Sequence, residues 1–186
     1  MNDRFQDIAA QSAVLFPQIQ ALRRQLHRQP EQGWLEIGTS ALVAERLRAL
    51  GYEVLVGDAV TADTRMGLPS QDMLNAAYER ALAADVLPAL AAQMRDGRTG
   101  VIGVLRAGEG PVVALRFDMD ALPLTESDDA DRQAVREGYV SVQSGSMHAC
   151  GHDGHTAIGL GVAEILVNHC AQLHGTCLLY TSPSPR

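Results

Sequence analysis

The chain is poor in aromatic residues, in cysteine and in long apolar runs, and each shortage excludes a class of protein. Aromatic residues make up 4% of the 186 residues, so the core has to be aliphatic. Three cysteines, an odd and low number, indicate no disulfide framework. No apolar run approaches the length of a bilayer span, and the polar N-terminus lacks the apolar centre of a signal peptide. We therefore expect a cytoplasmic protein without membrane contact.

An excess of basic charge is also missing. The formal net charge is -7 at pH 7, whereas binding to nucleic acid or to an anionic membrane needs a basic face. The apolar share of 46% and the charged share of 20% are ordinary for a globular protein. The sequence therefore predicts a globular domain that binds neither nucleic acid nor membrane.

Helical and strand patterns follow one another along the chain. Four segments have apolar residues at helical spacing: 14–28, 39–50, 70–94 and 157–167. Three segments have strand patterns: 52–56, 100–105 and 111–117. Pro88 is expected to split the third helix, the link between the last two strands suits a hairpin, and the apolar run of the last strand favours the sheet interior. The mixture predicts an α/β fold with a central mixed sheet flanked by helices.

Residues 148–155, with the sequence HACGHDGH, hold three of the six histidines together with a cysteine and an aspartate. Imidazole, thiolate and carboxylate are the side chains that bind transition metals. In an extended segment the side chains of Cys150 and His152 project to the same side, so one metal, or two close metals, could take a ligand from each. The alternative is a hydrogen-bonded histidine cluster that caps a helix. We expect the basic run that contains His27 to be a solvated face.

Asp118 and Asp120 repeat the two-residue spacing at the end of an apolar strand. In α/β sheets, ligands gather beyond the carboxyl ends of the strands. A carboxylate there can orient a metal-bound histidine or the attacking water. The alternative is that one of the two caps the turn before Pro123.

Two motifs, RFDMDALP at 116–123 and MHACGHDGHTA at 147–157, resemble those of the di-metal aminoacylase and carboxypeptidase superfamily, in its amidohydrolase branch. Residues 24–34 and 65–69 are similar to the A-type subunits of p-aminobenzoyl-glutamate hydrolases within that branch. The resemblance implies that Cys150 and His152 are ligands of a centre of two divalent metal ions, manganese or zinc. It also implies that Asp118 supports the ligands without binding metal. Further candidates for such support are Asp120, Asp153 and His155.

The resemblance also implies a reaction and partners. The reaction is metal-dependent hydrolysis of a linear amide, releasing p-aminobenzoate and glutamate from p-aminobenzoyl-glutamate, or cleaving a related N-acyl amino acid of the hippurate type. The substrate is a small acylated amino acid, and the full-length protein is expected to pair with a related second subunit or to form a homodimer. In the family, the general base sits in a Glu-Glu pair shortly after the strand that begins at residues 174–176. This chain has no such pair.

Residues 177–186 look foreign to the rest of the chain, because they resemble the in-frame translation of a sequencing-library adapter. Prolines at 183 and 185 argue against a helix or a central strand. We therefore expect residues 1–176 to be a partial metallohydrolase catalytic domain, truncated before the lid domain, and residues 177–186 to be a non-native tail. The chain itself is expected to be inactive.

Two other hypotheses remain open. A cysteine hydrolase would use Cys150 as nucleophile with His152 or His155 as base, although the members of a triad usually come from separate segments. A metal-binding module without catalysis would use the same histidine-rich window. Protection of the thiol from alkylation by bound metal separates the first hypothesis from a metal centre.

Overall fold

A four-stranded mixed sheet organises the computed structural model, which describes residues 2–182. The strands are β1 Glu53–Val56, β2 Val101–Arg106, β3 Val112–Asp118 and β4 Thr176–Ser182. The helices are α1 Asn2–Arg28, α2 Ile37–Ala49, α3 Gln71–Ala83, α4 Pro88–Gln93, α5 Gln133–Arg136 and α6 His152–Asn168. Helices α2 and α6 pack on the sheet and α1 packs on α6. The predicted α/β class, with helices around a central mixed sheet, is confirmed.

The helix boundaries follow the local signals closely. Ser70 caps α3, since its hydroxyl accepts a hydrogen bond from the backbone N–H of Met73 at 3.4 Å. Pro88 begins α4, so the predicted split of the third helix is confirmed. Gly51 follows α2 in the left-handed region, with a φ of +89°. Among the described helices, none is long and apolar enough to cross a membrane.

The strand order is β1-β2-β4-β3, which makes the predicted hairpin between β2 and β3 wrong. Strand β4 lies between them, antiparallel to β2 and parallel to β3. In the register, Cys177 faces Leu105 of β2 on one side and Val113 of β3 on the other. A hairpin signal is local, whereas a strand from much later in the chain supplies the pairing here.

Strand β3 lies at an edge of the sheet, and the prediction that it is buried in the interior is wrong. Val112 is 66% exposed and Val113 is 52% exposed. Within residues 2–182, no strand pairs with the outer side of β3. An apolar run can indicate that a strand is suited to burial on both faces, but it cannot supply the neighbouring strand.

The tail prediction is wrong in one respect, because Cys177–Ser182 form most of β4 at the centre of the sheet. Leu179 is 4% exposed and belongs to the main hydrophobic cluster. The two prolines on which the argument against a strand depended come after this segment, and Pro183 and Pro185 lie outside the described residues. Leu, Tyr and Thr are well suited to a pleated, half-buried surface. That residues 177–186 are non-native stays a prediction.

Candidate metal centre

The first turn of α6 lies at the carboxyl end of β3. Gly151 precedes the helix with a φ of +79°, a conformation that glycine adopts without steric cost. The turn places His152, Asp153 and His155 at the start of the helix. The hydroxyl of Thr156 donates to the backbone carbonyl of Asp118 at 3.3 Å, which joins the helix to the strand end.

The segment after β3 is fixed by backbone pairing on both sides. Leu122 and Met147 exchange two backbone hydrogen bonds of 2.9 and 3.0 Å. Ala121 donates its N–H to the carbonyl of Glu31 at 2.7 Å. These bonds hold Asp120 between the strand end and the histidine-rich segment.

His152 is oriented by Asp120. Its Nδ1 lies 2.9 Å from the Asp120 carboxylate Oδ1 and 2.9 Å from the Asp120 backbone oxygen. Both oxygens accept, so Nδ1 carries the hydrogen, and in the neutral imidazole Nε2 is the nitrogen with the free lone pair. Both side chains are buried. A carboxylate that fixes the tautomer of a histidine in this way is the usual support of a metal-binding imidazole.

Asp118, His152 and His155 form the candidate metal cluster. One potential ligand atom from each lies within 4.8 Å of those of the other two. The rings of His152 and His155 stack with centroids 5.4 Å apart. One carboxylate and two imidazoles are a donor set that fits zinc or manganese. Arg116 lies 2.7 Å from Asp118 Oδ1, so a cationic side chain already faces this carboxylate.

Residues 114–183 match the family model described as Peptidase family M20/M25/M40. Over these residues the chain is similar to that family. The matched segment contains β3, the candidate metal cluster and β4, so the motif resemblance drawn from the sequence is confirmed.

Two curated relatives share 44% identity with this chain over 172 residues. They are the indole-3-acetyl-aspartic acid hydrolase of Enterobacter agglomerans and the A-type subunit of the p-aminobenzoyl-glutamate hydrolase of Escherichia coli strain K12. In both cases the match covers 91% of this chain and 39% of the relative. The chain therefore spans about two fifths of the length of these relatives.

Solved structures are similar to this chain as well. The aminobenzoyl-glutamate utilization protein of Klebsiella pneumoniae superposes with a TM-score of 0.76 at 34% identity, covering 95% of this chain and 38% of that chain. The Bacillus subtilis YXEP protein, a dinuclear metal-binding peptidase of the M20 family, superposes with a TM-score of 0.62 at 28% identity. That match covers 92% of this chain and 36% of the Bacillus chain.

The candidate site differs in detail from the arrangement expected from the sequence. Asp120 is the carboxylate that hydrogen-bonds His152, while Asp118 lies in the three-residue cluster. The supporting role expected for Asp118 stays a prediction. Cys150 is exposed and stands outside that cluster. Side chains two residues apart project to the same side only in an extended segment, whereas the chain turns at Gly151 into α6. A metal-binding role for Cys150 stays a prediction.

His148 is a buried histidine beside the cluster. Neither of its ring nitrogens has a hydrogen-bond partner among the described residues. Burial lowers the pKa of His148 to about 4. The imidazole is therefore neutral near pH 7 and brings no positive charge into a site that would hold cations.

A buried ionic network beside the cluster was not predicted from the sequence. The expectation of a solvated face is wrong for His27, because this side chain is buried. His27 Nδ1 lies 2.8 Å from Asp153, and His27 Nε2 lies 3.0 Å from Glu126. Ionised carboxylates only accept hydrogen bonds, so this geometry suits an imidazolium. The hydrogen bond to Asp153 is the main reason that the pKa of His27 is raised, while burial opposes the rise.

The pKa values of the two carboxylates in this network are lowered, whereas that of His27 is raised. Burial alone would raise the pKa of Asp153, but the hydrogen bond from His27 and the charge of Arg23 together lower it. Burial likewise opposes the lowered pKa of Glu126, which His27 and the Ser141 N–H bring about. The partners of His27 are far away in sequence, so spacing along α1 held no signal for them.

Proposed function

We propose that this chain is the N-terminal part of a metal-dependent amidohydrolase that cleaves p-aminobenzoyl-glutamate to p-aminobenzoate and glutamate. The observation that carries the proposal is the His152–Asp120 pair, which leaves the His152 Nε2 lone pair available beside Asp118 and His155. A carboxylate-oriented histidine in a cluster with a carboxylate and a second imidazole suits a hydrolytic metal centre.

The site is proposed to hold two divalent ions, manganese or zinc. His152 would be one ligand, Asp118 and His155 are placed to contribute, and Cys150 is retained as a proposed ligand from the family resemblance. Bound divalent ions supply a polarised amide carbonyl and a water that ionises near neutral pH. Asp120 holds His152 in the tautomer that such a ligand needs, and neutral His148 adds no charge repulsion.

The substrate class follows from what the two relatives have in common. One is named for indole-3-acetyl-aspartic acid and the other for p-aminobenzoyl-glutamate, so each name joins an aromatic acyl group to an acidic amino acid. We propose the same class here, with p-aminobenzoyl-glutamate as the first substrate to test. A related N-acyl amino acid of the hippurate type is the second candidate, since a protein named as an IAA-amino acid hydrolase of Arabidopsis thaliana is also a relative.

The chain on its own is proposed to be inactive. Its sequence contains no Glu-Glu pair, and the family resemblance places the general base in such a pair. The full-length protein is proposed to act with a related second subunit or as a homodimer, since one relative is itself named as one subunit of a hydrolase.

A chimera tests the function directly. Residues 1–176 would replace the matching part of the A-type subunit of the Escherichia coli p-aminobenzoyl-glutamate hydrolase. The release of p-aminobenzoate would then be measured with added Mn²⁺ or Zn²⁺. We expect the chimera to be active, His152→Ala to abolish turnover, and His174→Gln, at an exposed position, to leave it unchanged. A folded but inactive chimera would contradict the function. Turnover by the chain alone above a metal-free blank would contradict the proposed inactivity.

A further inference from the structure

His27 joins three separate segments of the chain at one buried point. It lies near the end of α1, and it is 4% exposed. One ring nitrogen binds Asp153 on the first turn of α6, and the other binds Glu126 in the connection after β3. The ring therefore contacts the two segments that flank the candidate metal cluster.

The carboxylates on either side of His27 are held by further partners. Arg23, one turn before His27 on α1, places its Nε 2.8 Å from Asp153 Oδ2. Arg132 lies 3.4 Å from Glu126 Oε1, at the weaker limit for such a contact. With His27 protonated, three cations and two anions alternate through the network.

A second set of contacts fixes the connection itself. The backbone N–H of Ser141 donates to Glu126 Oε2 at 2.7 Å. The ring of Tyr139 meets the ring of His27 edge-on, with centroids 5.5 Å apart. The imidazole is therefore held in its plane by packing as well as by its two hydrogen bonds.

Loss of the imidazolium would leave Asp153 and Glu126 buried without the cation between them, which is the costly way to break a buried ionic network. Asp153 is the residue next to His152 on the same turn of helix. Asp153 would keep its contact with Arg23 but lose its partner on the opposite side. Any movement that compensates for this loss therefore moves the His152 ring relative to Asp120. The bond between His152 and Asp120 is the contact that fixes the His152 tautomer.

We infer that His27 is a positioning residue for the metal centre. Through Asp153 and Glu126 it fixes the first turn of α6. His152 therefore stays hydrogen-bonded to Asp120 and presents Nε2 to the cluster. The inference rests on the proposed function for its purpose, but its geometry can be tested without metal. Residues that support metal ligands typically change metal affinity by about 10- to 100-fold when they are altered.

The test compares the 186-residue chain with its His27→Gln variant by long-range ¹H–¹⁵N correlation spectra of the histidine rings in the absence of metal. We expect His152 to carry its proton on Nδ1 in the parent chain and to populate both tautomers in His27→Gln. His174→Gln, the same chemical change at an exposed position, should leave the His152 signals unchanged. Unaltered His152 tautomers in a folded His27→Gln variant would overturn the inference.

A second measurement, of metal affinity, distinguishes failure of the inference from failure of the proposed function. Titration with Co²⁺, followed by its visible absorption, should give an affinity about tenfold weaker for His27→Gln than for the parent chain, the lower end of the range for supporting residues. Failure of the parent chain to bind Co²⁺ would count against the proposed function, while the tautomer comparison would still decide the role of His27. If His27→Gln does not fold, Glu126→Gln takes its place. We then expect a smaller change in the His152 tautomers and in the Co²⁺ affinity, in the same direction. The absence of any change would refute the inference.

Discussion

The position of β4 at the centre of the sheet predicts how much stability the chain loses when Leu179 is truncated. The side chain is 4% exposed, and in the register it lies between Gly103 of β2 and Leu115 of β3. It belongs to the same hydrophobic cluster as Leu47 of α2 and Leu160 of α6. Truncation to alanine therefore removes methyl groups from the place where the sheet meets two helices.

The cost of Leu179→Ala should be about 3 kcal/mol of unfolding free energy, within the range for buried leucines that combines the lost transfer energy with the cavity left behind. For a chain of this length, about 2–4 °C per kcal/mol gives a decrease in Tm of about 6–12 °C. The assay is thermal and urea unfolding followed by circular dichroism. Val113→Ala, on the neighbouring strand and 52% exposed, is the matched control and should cost less than about 1 kcal/mol.

Equal costs for the two substitutions would refute the reasoning. Such a result would mean that residues 177–182 do not occupy the centre of the sheet in solution. The expectation from the prolines, that this end of the chain forms no strand, would then be right, and β2 and β3 would lack their shared partner.

The remaining predictions concern packing, pH, the thiol and solubility. Gly159→Ala should lower the unfolding free energy by about 1–3 kcal/mol, because the new Cβ would lie 2.7 Å from Phe117 Cγ. Gly154→Ala places its Cβ with nothing within 4 Å and should raise Tm, because alanine favours a helix more than glycine does. The raised pKa of His27 stabilises the fold fully below its unfolded value of 6.5 and loses that contribution as pH rises through the folded pKa. Urea midpoints should therefore fall from about pH 6.5 upward in the parent chain, and a similar slope in His27→Gln would contradict this assignment. Saturating Zn²⁺ should slow alkylation of Cys150 by iodoacetamide if the thiol is a ligand, and an unchanged rate would exclude that role. The open edge of β3 should cause concentration-dependent association, and sedimentation of a monomer at all concentrations would argue against it.

Local signals in the sequence predicted most of the helices, because a cap, a proline or a glycine acts on its own neighbourhood. Ser70, Pro88 and Gly51 each end or begin a helix as their chemistry requires. The position of the candidate site could also be predicted, since His152 and Asp118, which the fold brings together, lie in two short motifs rich in metal-binding residue types. The fold class followed from the same alternation of patterns.

Pairing between distant segments could not be predicted from the sequence. The order of the strands depends on β4 entering between β2 and β3, and no spacing along the chain encodes that choice. The contact of Asp120 with His152 spans 32 residues, and that of His27 with Asp153 spans 126. A turn at Gly151 also separates Cys150 from the cluster, which a rule for extended segments does not foresee.

The insertion of β4 between two earlier strands has a consequence for how the chain acquires its fold. Strands β2 and β3 leave the ribosome well before β4, and residues 119–175 must be synthesised before their shared partner exists. Pairings between such distant segments form slowly, because the intervening loop must first be closed. Until then both strands present unpaired backbone edges, a state that invites misassembly and chaperone capture. Completion of this four-stranded sheet is therefore a late event, expected only after β4 has emerged.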